Sequence, residues 1–185
     1  MGQYYLPVNI DKKEYVYSHD YENGLKLMEH SWIGNGFMSV VENLIAEGGS
    51  WCGNRIVWAG DYADDEPKSE FNTDATNWYG LMEEENKIKP PTKKRKFRYL
   101  VNLDNKEFVD MRKVPVSDVY EGHYYYYIHP LSLLTCEGNG RGGGDYRGKN
   151  KRKTEKLLGR WARKRITIQN EIPEGMTELV FDLKE

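Results

Sequence analysis

A nine-residue string occurs twice in this chain. Residues 8–16 read VNIDKKEYV and residues 101–109 read VNLDNKEFV. Val, Asn, Asp, Lys, Glu and Val are identical, and the differences are Ile for Leu, Lys for Asn and Tyr for Phe. Each copy sets an apolar strand end before a polar centre and an aromatic strand after it. That is the pattern of a β-hairpin, because Asp and Asn accept the dihedrals of a tight turn while Val, Tyr and Phe suit the pleated flanks. Two such units in one chain predict a pair of hairpins in a shared sheet, with half-repeats over 1–90 and 91–185. A solenoid is excluded, since stacking needs about three units. A weaker echo, Gly60-Asp61-Tyr62 against Gly144-Asp145-Tyr146, extends the comparison. The competing reading is that hairpin turns everywhere draw on the same few residues.

At 185 residues the chain suits a single domain, 1–185, with enough core to fold without a metal or a disulfide. The first hairpin is expected over 3–10 and 14–18. Phe37, Val40, Val41, Leu44 and Ile45 recur at spacings of 3, 1, 3 and 1, a helix face that stops at Gly48-Gly49. Residues 55–59 read as a buried strand, 77–85 as a short helix, and 123–136 as two strands or a bent one broken at Pro130. Residues 165–169 and 177–183 are expected to close the sheet as a pair. Strands outnumber helices and follow one another by hairpins. The predicted class is therefore α+β, a largely antiparallel sheet with two or three helices.

Lys+Arg 27 against Asp+Glu 29 is too balanced for an indiscriminate polyanion binder. No stretch approaches the ~18 apolar residues of a membrane helix, so no membrane partner is expected. The opening MGQYYLPVNI lacks a basic run leading into an apolar core, which points to a cytoplasmic protein. Cys52 and Cys136 are read as free thiols. Four histidines without HxxxH or HExxH spacing give no zinc signature, so neither a metal nor a cofactor is expected.

Charge is segregated along the chain. Residues 61–85 hold nine carboxylates and one lysine, whereas 141–165 hold eleven cations and two carboxylates. The glycine-rich stretch 137–148 matches the dinucleotide fingerprint in letters but not in context, because no βαβ unit surrounds it. Its amides could cradle an anion. Together with the cations after it, this makes Gly140, Arg141, Gly143, Tyr146, Arg147, Lys149 and Trp161 the candidate ligand contacts. The basic groups would neutralise phosphates, and Tyr146 or Trp161 would stack a base. The competing reading is that the acidic and basic stretches pair, within one chain or between copies in a homo-oligomer. A different chemistry would use Asp61 and Asp145 as paired carboxylates with His129 as acid or base, in a metal-assisted hydrolase or phosphodiesterase. The tyrosines 124–127 and the tryptophans exceed what a core of this size requires, and suit a contact surface.

The opening MGQYYLPVN, the segment Trp58-Ala59-Gly60-Asp61-Tyr62 and the string HPLSLLTCEGNGRGGGDY together resemble a family of small bacterial and phage proteins without an assigned activity. That resemblance implies an accessory protein that binds a host protein or nucleic acid. It brings no catalytic residue and no cofactor with it.

Overall fold

The computed structural model describes residues 3–116, 127–138 and 155–183, with the backbone of 120–121 and 124–125. In chain order the elements are β1 (Tyr5–Asn9), β2 (Glu14–Val16), α1 (Leu27–His30), α2 (Gly36–Ile45), β3 (Arg55–Gly60) and β4 (Lys87–Ile88). They continue as β5 (Tyr99–Asn102), β6 (Glu107–Asp110), β7 (Tyr120–Glu121), β8 (Tyr124–Tyr125), α3 (Pro130–Thr135), β9 (Cys136–Glu137), β10 (Lys164–Gln169) and β11 (Thr177–Glu178). The class is α+β. One sheet runs β11-β6-β5-β10-β3-β1-β2-β4, with β9 beside β3, and most of its pairings are antiparallel. β7 and β8 pair separately.

Both copies of the repeated string fold as hairpins of the same register. Asn9 stands opposite Glu14 and Val8 opposite Tyr15, just as Asn102 stands opposite Glu107 and Val101 opposite Phe108. In each turn the leading asparagine accepts backbone N–H groups, from Lys12 in one and from Asp104 and Asn105 in the other. Each turn closes through a lysine in the left-handed region, Lys13 at φ 55° and Lys106 at φ 53°. A side chain there costs ~1–2 kcal/mol, which the asparagine bonds and the flanking ladder offset.

The likeness extends past the hairpins. Asp11 takes the backbone N–H and Nε–H of Arg55 at 2.8 and 2.7 Å, and Asp104 takes those of Arg165 at 2.8 and 2.6 Å. The Trp51 indole donates to Glu14 at 2.8 Å, and that of Trp161 donates to Glu107 at 2.8 Å. The Trp51 amide reaches Leu44 O and the Trp161 amide reaches Leu134 O. After α2, Ala46 bridges β10 in parallel at Ile168; after α3, Cys136 joins β3 in parallel at Trp58. Short parallel strands lie at both ends of the sheet, β4 against β2 and β11 against β6.

The core lies on both faces of the sheet. Ile56, Trp58, Leu100, Ile166 and Ile168 face α2 and α3, while Val57, Ala59, Tyr99 and Val101 face the other way, as a period of two requires. α2 forms where Asn35 caps it, accepting from Phe37 N at 2.8 Å and Met38 N at 3.2 Å. It buries Phe37, Met38, Val40, Val41, Leu44 and Ile45, at ~1.5–3 kcal/mol for each large side chain. His30 lies in the same core, its Nε2 accepting from Trp58 and its Nδ1–H donating to Gly24 O. Burial pushes its pKa down to about 4, so it is a neutral core residue.

Three expectations are corrected. Residues 130–135 are helix, because Pro130 occupies the first turn, where its missing N–H costs nothing, and His129 caps it by accepting from Leu131 N. Residues 77–85 form turns followed by a 3-10 turn over Glu84–Asn86, with no α-helix. β11 pairs with β6 and not with β10, whose edges are taken by β3 and β5.

Candidate functional site

Three residues expected at a site are in the described structure, and each has structural work elsewhere. Trp161 is 0% exposed and bonded to Glu107, so it is a core anchor and cannot stack a base. His129 is fully buried with both ring nitrogens engaged, Nδ1 by Leu131 N and Nε2 by Glu42 Oε1 at 3.0 Å. Asp61 sits at the end of β3 with Oδ1 accepting Tyr4 N, and no contact joins it to His129 among the described residues. Gly140, Arg141, Gly143, Asp145, Tyr146, Arg147 and Lys149 lie outside the described residues. Among the described residues no group of three His, Cys, Asp or Glu side chains could hold a metal ion.

The described part of the basic stretch is consumed inside the chain. Arg163 forks onto Glu137 at 2.7 Å and onto Glu66 of the acidic stretch. The hydrogen bond to Glu137 is the strongest influence raising its pKa. Arg160 pairs with Glu107 and Arg165 with Asp104. A cleft of about 300 Å³ beside Glu137, Gly138 and Arg163 therefore offers mainly groups that already satisfy one another.

A different surface stands out. Of the seven described arginines, Arg55, Arg98, Arg160, Arg163 and Arg165 each hold a carboxylate. The other two, Arg95 and Arg112, line the same cleft of about 260 Å³ between α2 and the strap that leads into β5. Lys96 and Arg98 join them, Phe97, Ile33 and Met111 give apolar walls, and Glu42 of α2 forms part of the lining.

The strap is exposed over residues 91–96 and tied down at intervals. Tyr21 OH donates to Pro90 O at 2.7 Å, Asn43 Nδ2 to Lys93 O at 2.8 Å, and Arg98 N to Gln169 O at 3.2 Å. Pro90 and Pro91 stiffen its start. These ties hold Lys93, Lys94, Arg95 and Lys96 as a contiguous cationic run. The Arg95 guanidinium lies 4.8 Å from the centre of the Phe97 ring, a cation–π contact between two residues of the cleft lining. A second cleft, of about 410 Å³, flanks the strap near Asn43, Lys93 and Arg95.

Arg112 is aimed by the turn after β6. Asp110 accepts Arg112 N at 3.1 Å while its carboxylate holds Arg98. Burial acts to raise the Asp110 pKa, but Arg98 and the Arg112 amide outweigh it and hold the carboxyl below its ordinary range. The carboxylate thus fixes one arginine directly and the backbone of another. The Lys93-Lys94-Arg95-Lys96 run was visible in the chain; its convergence with Arg112, sixteen residues after Lys96, was not.

Comparison with protein-family models, with curated proteins and with solved structures gave no match.

Proposed function

We propose that this protein acts by binding an anionic ligand, a nucleic acid or nucleotide, without catalysis, and that the cleft of Arg95 and Arg112 is the binding surface. The observation that carries the reading is the contrast in pairing: of the described arginines, the two without a carboxylate meet at one cleft, beside Lys96. Unpaired cations held by a tied-down backbone bind phosphate without first breaking an ion pair. On this reading the protein is an accessory factor that occludes or sequesters a nucleic acid.

The test is fluorescence anisotropy with a labelled single-stranded oligonucleotide at several salt concentrations. Arg95→Ala/Arg112→Ala should weaken binding at least tenfold at low salt and flatten the dependence of log affinity on log salt. Binding that ignores salt, or that survives in the double variant, would overturn the assignment.

We also infer that the two halves are copies of one unit. Supporting this are the shared hairpin registers, the two Asp–Arg clamps, the two Trp–Glu clamps and the paired segments L-x-x-E-G at 44–48 and 134–138. The same alignment sets Trp51-x-x-x-Arg55-Ile56 on Trp161-x-x-x-Arg165-Ile166. In that alignment Lys96, Arg98 and Arg112 fall on Gln3, Tyr5 and His19. The cationic cleft would then belong to one copy alone.

A further inference from the structure

Glu42 is an anomaly in the cationic cleft. It is 8% exposed, yet no arginine of the cleft pairs with it; its partner is the buried His129. Because His129 Nδ1 accepts the Leu131 amide, the ring proton sits on Nε2 and is donated to Glu42 Oε1. The carboxylate is therefore held in one orientation by the ring N–H of His129. Its Oε2 has no protein partner among the described residues, and it is not among the buried atoms left without one. The cleft thus presents an oriented, mostly buried acceptor together with exposed cations and the Arg95–Phe97 contact.

Resting on the anion-binding reading, we propose that the ligand is a guanine nucleotide, its phosphate on Arg95, Lys96 and Arg112 and its base edge on Glu42. A carboxylate only accepts hydrogen bonds. Guanine alone among the common bases offers two adjacent N–H donors, N1–H and the 2-amino group. Adenine and cytosine would each turn a ring-nitrogen lone pair toward the carboxylate. Uracil flanks its single N–H with two carbonyls. A buried acceptor left facing a lone pair is penalised more than one merely missing a bond, which is what makes such a site selective. Ile33, Phe97 and Met111 supply apolar walls for the base, and Arg95 is left to the phosphate. The cleft of about 260 Å³ has room for one nucleobase and part of its sugar.

The experiment is titration calorimetry of the intact chain at low salt with GMP, IMP and AMP, and with a thymidine decamer carrying one guanine or none. GMP should bind at least tenfold tighter than AMP, and IMP, which lacks the 2-amino group, should fall between them. Glu42→Gln, which keeps an acceptor for His129, should bring the GMP-to-AMP ratio below threefold without lowering the melting temperature. The ligand is a free nucleotide if GMP exceeds the guanine-bearing decamer, and a base within a single strand if the decamer exceeds GMP. Equal affinity for GMP, IMP and AMP, lost in Arg95→Ala/Arg112→Ala, would overturn the guanine assignment and leave the anion site standing. No binding of any nucleotide or decamer would overturn both. The nucleotide series on the unmodified chain decides the matter even if Glu42→Gln fails to fold.

Discussion

Trp161→Phe separates a core anchor from a stacking platform. The indole is fully buried and donates at 2.8 Å to Glu107 Oε2, whose other oxygen holds Arg160. Phenylalanine keeps most of the apolar contact but removes a hydrogen bond to a charged acceptor, worth ~1.5–3 kcal/mol. The smaller ring adds a modest cavity cost, so the expected loss is about 2–3 kcal/mol. In a chain of this length that lowers the melting temperature by about 4–12 °C. The Arg160 side chain is 41% exposed, so its pair with Glu107 is screened and contributes well under ~1 kcal/mol. A double-mutant cycle should accordingly find stronger coupling between Trp161→Phe and Glu107→Gln than between Arg160→Ala and Glu107→Gln. Trp51→Phe with Glu14→Gln should give a coupling within ~0.5 kcal/mol of the first cycle, because the two clamps have the same geometry. The pH dependence has a definite sign. The Arg160 hydrogen bond, against the opposing effect of burial and with help from Trp161, holds the Glu107 carboxyl below its ordinary range. Its stabilisation is present above the ordinary carboxylate pKa and is lost as pH falls through the depressed folded value. The gap between wild type and Trp161→Phe should therefore narrow below about pH 4. Thermal and urea unfolding followed by far-UV circular dichroism would measure all of this. An unchanged melting temperature in Trp161→Phe, together with loss of oligonucleotide binding, would refute the reasoning.

Asn35→Ala removes the cap of α2 and should cost about 1 kcal/mol, seen as a loss of about 2–4 °C in melting temperature. Gly49→Ala should be far worse than Gly48→Ala by the same assay. A Cβ at Gly49 would stand 2.2 Å from Leu44 O, whereas Gly48 opens to free space and needs only its positive φ, a cost of ~1 kcal/mol. An aromatic disulfide reagent should label Cys52 at once and Cys136 only on unfolding, since the first is exposed and the second buried. Asp110→Asn should weaken the hold on Arg98. It should also remove stability that in the wild type disappears as pH falls through the depressed Asp110 pKa, checked by melting at neutral and acid pH.

The hairpins and α2 were legible because their signals are local. A turn with Asn, Asp and Lys at set places, or apolar residues at spacings of 3 and 1, acts within a few residues. The α3 segment resembles strand in sequence because HYYYYIHPLSLLTC pairs β-forming aromatics with a proline, a propensity that helix capping overrides in the fold. Pro130 at the start of a helix and His129 as its cap are equally local cues, and they decided the outcome. The burial of Trp161 is illegible in the sequence for another reason. Exposure is decided by what packs over a residue, and the groups that enclose Trp161 come from β6 and α3, over 50 and nearly 30 residues away.

Charge shows the same division between composition and placement. The acidic and basic stretches nearly cancel on paper, yet among the described residues a single arginine, Arg163, joins them through Glu66. Most basic-stretch arginines in the described structure are spent on hairpin carboxylates, Glu107 and Asp104. Those carboxylates belong to the repeated string itself, so the string carries fold information beyond its turn: each copy brings an Asp for an arginine and a Glu for a tryptophan. Asp11 and Glu14 serve Arg55 and Trp51, while Asp104 and Glu107 serve Arg165 and Trp161. Cations with those partners are structural wherever they fall in the chain. Arg95 and Arg112 lie outside that scheme, and the fold then brings them to one cleft. A basic residue in this protein is best judged by whether a hairpin carboxylate has claimed it, which no count of charges along the sequence can reveal.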